Sequence, residues 1–130
     1  MTVELFCLVL MTAFFLLAWL PLSIAKTNAW GVGYLMSNRD ETGLSPLPEW
    51  GNRAGRAYEN LKSNLPGFAF AILVLHAVGR FDAGTALAAQ IYVAARLSHF
   101  AIYLAGWSAP RSIAWTVGLV ANFYLLARAF

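Results

Sequence analysis

The sequence predicts an all-α integral membrane protein, a four-transmembrane-helix bundle in a single domain over residues 1–130. Composition is the first reason: 60% of the residues are hydrophobic and 12% charged, against about 25% charged in soluble domains. Segmentation is the second. Stretches near residues 3–25, 56–78, 83–105 and 110–127 can each cross a bilayer as a helix, and turn signals separate them. The third is that polar residues within these stretches share helical faces, as a bundle with a polar interior requires.

The first helix, about Val3 to Ala25, is rich in Leu and Phe and suits a lipid-facing position. Its acidic start and its 21-residue apolar run from Leu5 to Ala25 argue against a cleaved signal peptide, whose apolar core is about 7–15 residues. Pro21 marks a kink in the last turn or the exit. Cys7 is the only cysteine, so no intrachain disulfide can form, and it reads as a small hydrophobe.

Residues 26 to about 50 read as a polar connection, with turn signals at Gly31, Gly33, Asn38-Arg39-Asp40 and Ser45-Pro46-Leu47-Pro48. Trp30, Tyr34 and Trp50 are candidate headgroup anchors. A second helix is predicted from Gly51 to Val78, polar in its first half and apolar in its second. Arg56, Asn60, Ser63 and Asn64 form one stripe along it. Pro66 removes a backbone donor in mid-helix, which neighbouring helices can compensate.

The third helix, residues 83–105, starts behind Asp82 as N-cap. Its small residues Ala83, Gly84, Ala86, Ala88 and Ala89 place it at the bundle centre. Arg96, His99 and Tyr103 fall on one face at i, i+3 and i+7. An arginine near the bilayer centre costs roughly 2.5–3.5 kcal/mol on insertion scales, so Arg96 is expected either to brace helices, through Glu59 or a carbonyl, or to touch a ligand. Ser108 as cap and Pro110 in the first turn start the fourth helix, with Arg111 and Ser112 at its N-terminal end.

Lys26, Arg39, Arg53, Arg56, Lys62 and Arg111 fall on one side of the membrane, Arg80 and Arg128 on the other. The bias puts the first and third loops inside and both termini outside, which in a bacterium means the inner membrane with periplasmic termini. The net charge of +3 reflects this orientation. No basic stripe suits nucleic acid, no glycine-rich loop suits a phosphate, and no carboxylate pair suits acid–base hydrolysis. Metal binding is not expected, because His76 and His99 lie on different helices at different depths without further ligands.

On this topology Arg56, Asn60 and Ser63, then Arg96, His99 and Tyr103, then Arg111 and Ser112 converge near one membrane face. Guanidinium groups, an amide, an imidazole, a phenol and a helix N-terminus favour an anionic or carboxylate ligand.

The segments GNRAGRAYENLKSNLPGF (Gly51 to Phe68) and ARLSHFAIYLAGWSAPRSIAW (Ala95 to Trp115) resemble the MAPEG family, the membrane-associated proteins of eicosanoid and glutathione metabolism. SNRD at Ser37 to Asp40 resembles a bacterial branch of it. The resemblance covers nearly the whole chain. It implies a homotrimer of four-helix protomers, with glutathione in a U-shaped pose between protomers near the cytoplasmic face. Lipophilic small molecules then approach from the membrane lipids. By the same resemblance Arg56 and Asn60 hold glutathione's carboxylates and backbone, and His99 and Tyr103 add contacts on the face they share with Arg96. Arg111 faces the thiol, with Ser112 beside it. A cation and a hydroxyl lower the thiol pKa, and the thiolate attacks an electrophilic or peroxidised lipid.

Three positions depart from the family pattern. Ser63 stands where a glutamate is usual three residues before the proline. Glu59 stands where the eicosanoid enzymes often carry a basic residue, and Trp115 where they have a tyrosine. The altered second-helix motif keeps a second function class open: a non-catalytic relative that binds a lipid or a partner membrane protein. A small multidrug transporter fits poorly, since that class relies on a carboxylate deep in the first helix and Glu4 lies at its very end.

Overall fold

The computed structural model describes residues 1–130. It contains five helices: α1 (Val3–Leu17), α2 (Leu20–Met36), α3 (Glu49–Ala77), α4 (Ala83–Ala105) and α5 (Ser108–Arg128). The first two lie on one path. Only Ala18 and Trp19 separate them, and both keep right-handed dihedrals. Pro21 explains the interruption, because it has no N–H and its ring crowds the carbonyl of Leu17. The break therefore comes just before Pro21, and Pro21 marks neither the last turn nor the exit of the helical path.

The path does not end at Ala25 as expected. Helix continues through Met36, interrupted at Gly31 (φ 80°, ψ 165°), a region open to glycine alone. Polar residues there are compatible with helix once held: Thr27 Oγ1 donates to the Ser23 carbonyl at 2.9 Å, and the Lys26 ammonium lies 6.0 Å from the Trp30 ring. Beyond Gly31 the chain turns back, so that Leu35 and Arg39 meet Trp19, Leu22, Ser23 and Lys26. The irregular connection is thus residues 37–48, tied to α2 by Trp30 Nε1 donating to the Ser45 carbonyl at 2.8 Å.

Pro66 does not stop α3, which spans 29 residues. At 1.5 Å per residue it is about 44 Å long, more than the roughly 30 Å of a hydrocarbon core, so its polar first half can project beyond it. α4 occupies the residues the sequence assigned to it. Asp82 Oδ1 accepts the Thr85 N–H at 2.8 Å and the Asp82 N–H donates to Thr85 Oγ1 at 2.8 Å, a reciprocal cap. Gly106 (φ 85°) ends the helix, and Arg53 Nε reaches across from α3 to the Leu104 carbonyl at 2.9 Å. A cation there satisfies an orphan acceptor and complements the helix dipole. α5 starts at Ser108 itself, with Trp107 at the N-cap and no side-chain cap; the expected capping by Ser108 does not occur.

α4 is the hub and packs against α1, α3 and α5. Phe68 stacks on Tyr92 with centroids 4.0 Å apart, and Phe14 meets Phe100 edge-on at 5.2 Å. At the opposite end from the Gly106 turn, Thr85 Oγ1 donates to the buried Glu4 Oε1 at 2.6 Å, and Arg128 pairs with Asp82. The outer surface is apolar: Ile113, Val120 and Phe123 on α5 are each more than 60% exposed, as is Leu16 on α1. Val3–Met36 and Ala83–Ala105 are long and apolar enough to cross a membrane.

Candidate functional site

Between the first half of α3, the last turns of α4 and the first turns of α5, seven residues enclose a cleft of about 450 Å³: Asn60, His99, Tyr103, Arg111, Ser112, Trp115 and Thr116. Helical spacing assembles each wall. His99 and Tyr103 are one turn apart on α4, their rings edge-on with centroids 5.5 Å apart. Ser112, Trp115 and Thr116 share a face of α5 at i, i+3 and i+4. The left-handed Gly106 reverses the chain and brings Arg111 back over Tyr103, its guanidinium carbon 4.6 Å from the ring centroid. That stacking holds the cation in place without using its N–H donors. Arg111 takes part in none of the chain's three ion pairs. Ser112 Oγ donates to the Ser108 carbonyl at 3.2 Å, and Thr116 Oγ1 to the Ser112 carbonyl at 3.0 Å.

This convergence of cation, imidazole, phenol, amide and hydroxyl falls within a chain whose residues 3–130 match the model of the MAPEG family. The chain belongs to the MAPEG family. No curated protein and no solved structure matches it. The family includes glutathione transferases and peroxidases, and together with the two apolar helical stretches it points to a membrane protein.

Five of the seven residues expected at the site of this MAPEG chain line the cleft: Asn60, His99, Tyr103, Arg111 and Ser112. Arg56 and Arg96 do not. Arg56 sits one turn nearer the helix start than Asn60 and is exposed. Arg96, only 2% exposed, lies one turn deeper than His99. Its Nη2 donates to Asn64 Oδ1 at 2.9 Å, and its guanidinium carbon lies 5.2 Å from the Tyr92 ring centroid. Tyr92 Oη in turn donates to the Asn64 carbonyl at 3.2 Å. Glu59 is not the partner of Arg96, contrary to expectation. It is taken by Lys62, three residues along the same helix, at 2.6 Å. Nε and Nη1 of Arg96 have no partner within the chain. Gly118 on α5 makes room for them, since a Cβ there would lie 3.2 Å from Nε.

Trp115 and Thr116 complete the cleft and were not among the expected site residues. The signal that finds them is their spacing from Ser112, one turn further along α5. Thr116 also lines a second hollow, an apolar groove of about 560 Å³ between α4 and α5 bounded by Leu87, Ile91, Val117, Val120 and Tyr124. The polar cleft and the apolar groove thus share a wall. The second-helix departures have a structural counterpart. Ser63 is exposed and its hydroxyl donates to the Glu59 carbonyl at 2.9 Å, away from the cleft.

Proposed function

We propose that this MAPEG chain is a glutathione-dependent membrane transferase or peroxidase acting on lipophilic electrophiles. The observation that carries the reading is a cleft in which an uncommitted guanidinium, that of Arg111, stands among Asn60, His99, Tyr103 and Ser112. Its volume of about 450 Å³ lies within the range of small-molecule sites. The donor set suits a molecule with two carboxylates and a thiol, while Asn60 Oδ1 and His99 can accept from an amine.

Glutathione is a co-substrate in this reading: its thiol gives up a proton and the thiolate bonds to the electrophilic carbon. A leaving group departs with its electron pair or, in addition to a polarised double bond, the resulting carbanion takes up a proton. With a lipid hydroperoxide the sulfur takes the outer oxygen, the lipid leaves as its alcohol, and a second glutathione displaces water to give the disulfide. Arg111 favours the ionised sulfur by Coulomb attraction. Ser112 adds a hydroxyl donor once it swings from the Ser108 carbonyl. Asn60, with Arg56 at the rim, holds the carboxylates, and His99 and Tyr103 fix the middle of the molecule. Arg96, buried one turn below His99, braces the site from beneath through Asn64 rather than lining it. The groove beside Thr116 gives an apolar electrophile a place within reach of the sulfur. A homotrimer in the bacterial inner membrane, with the cleft toward the cytoplasm and protomers completing each other's sites, belongs to the same proposal.

Glutathione titrated into the protein in nanodiscs tests the reading, with binding read by calorimetry and ionised sulfur by ultraviolet absorbance. We expect saturable binding at millimolar concentration or below. Asn60→Ala weakens it by about tenfold, one lost charge-assisted hydrogen bond. Arg111→Ala keeps binding but loses the thiolate absorbance. Absence of saturable binding overturns the reading. It leaves the second one, a non-catalytic MAPEG protein that binds a lipid or a partner membrane protein, which the outward-turned Ser63 favours. Binding that appears only in Ser63→Glu supports that second reading as well.

A further inference from the structure

The turned-back end of α2 forms a small hollow of about 170 Å³ that shares no residue with the cleft. Trp19, Leu22, Ser23 and Lys26 supply one wall at i, i+3, i+4 and i+7, a single face of the helix. Leu35 and Arg39 supply the other. The two walls meet only because Gly31 reverses the chain.

The hollow is polarised along the helix axis. Lys26 is seven residues beyond Trp19, about 10 Å at 1.5 Å per residue, so two cations and a hydroxyl crown an apolar wall. Neither Lys26 nor Arg39 enters any of the chain's ion pairs. The neighbouring acids Asp40 and Glu41 do not line the hollow. Arg39 is also the only non-glycine residue with a left-handed backbone, φ 62°, a conformation that crowds Cβ against the following carbonyl. The Ser37 hydroxyl holds it there by accepting the Arg39 N–H at 3.1 Å. Its only side-chain partner is the Leu35 carbonyl at 3.5 Å, the outer limit of a hydrogen bond. Its charge is therefore positioned yet almost unspent.

We infer that this hollow binds the phosphate of an anionic phospholipid, with Lys26 and Arg39 on the headgroup and the first acyl carbons against Trp19, Leu22 and Leu35. A free phosphate shares the charge chemistry but gains nothing from the apolar wall. Trp19, 45% exposed, opens that wall sideways toward lipid. The inference is independent of the glutathione reading, since no residue is shared between the two sites.

Native mass spectrometry of the full chain in detergent tests it, with phosphatidylglycerol, phosphatidylcholine or inorganic phosphate added. We expect phosphatidylglycerol to be retained over phosphatidylcholine. Retention falls about tenfold or more in Lys26→Gln/Arg39→Gln, as expected when two basic groups near a membrane surface are lost. Leu35→Trp fills the hollow with both charges intact and abolishes retention too, while Arg80→Gln at the opposite end of the bundle changes nothing. Equal retention in all variants overturns the inference. So does full competition by inorganic phosphate, which identifies a soluble-anion site, and so does undiminished retention in Leu35→Trp, which reduces the effect to bulk charge.

Discussion

Arg96 shows what one residue can and cannot disclose. Its place in an apolar helix demands an internal partner, and the sequence offers that much. It does not offer which partner, because Glu59 and Asn64 both lie on the facing helix and only backbone geometry decides. Lys62 captures Glu59 locally, while Asn64 turns inward to Arg96. Asn64→Leu should lower stability by about 2 kcal/mol, the scale of a hydrogen bond to a charged group, because it strands a buried guanidinium. Adding Arg96→Met should recover most of that loss, since both ends of the contact are then gone. Gly118→Ala should destabilise by crowding Arg96 from the α5 side. Thermal unfolding in detergent measures all three. Arg111 and His99 were more legible: topology alone brought their helices to the same end, and Tyr103 bridges them.

At the scale of elements, helices with sharp chemical punctuation were readable and those without it were not. Asp82 and Gly106 bracket α4 at the residues expected. The end of α2 was hidden because Lys26, Thr27 and Asn28 look like a loop by polarity, yet polarity does not break a helix once side chains bond back along it. The α4 cap also titrates. Asp82 is held below the usual carboxylate range, first by the Thr85 N–H and then by Arg128. The folded chain therefore binds that proton less tightly than the unfolded one. Its contribution to stability is full above the ordinary carboxylate pKa of about 3.9 and disappears as pH falls from there through the lowered value. Melting temperature followed from neutral to acid pH should show a gap between the wild type and Asp82→Asn that closes on acidification.

As a whole, the molecule is apolar outside and selectively polar within. α5 buries only Gly118, Ala121 and Leu125, so its apolar composition shows at the surface more than in the packing. The passes of α1–α2, α3, α4 and α5 along the bundle leave residue 2 and residue 129 at one end and the 37–48 connection at the other. Under the proposed orientation, with Cys7 buried and silent, a membrane-impermeant maleimide should label Ala129→Cys in intact cells. It should label Ser45→Cys only after the membrane is opened. Labelling of both from outside defeats the orientation but not the fold. The Trp30–Ser45 bond has a practical corollary. It pins the far side of a stretch whose near side is pinned by Ser37, leaving Asp40 to Gly43 as an exposed tip between two fixed feet. Foreign sequence spliced into that tip leaves both feet standing, so a rigid soluble domain inserted there gives a small, nearly featureless membrane particle a fiducial for image alignment.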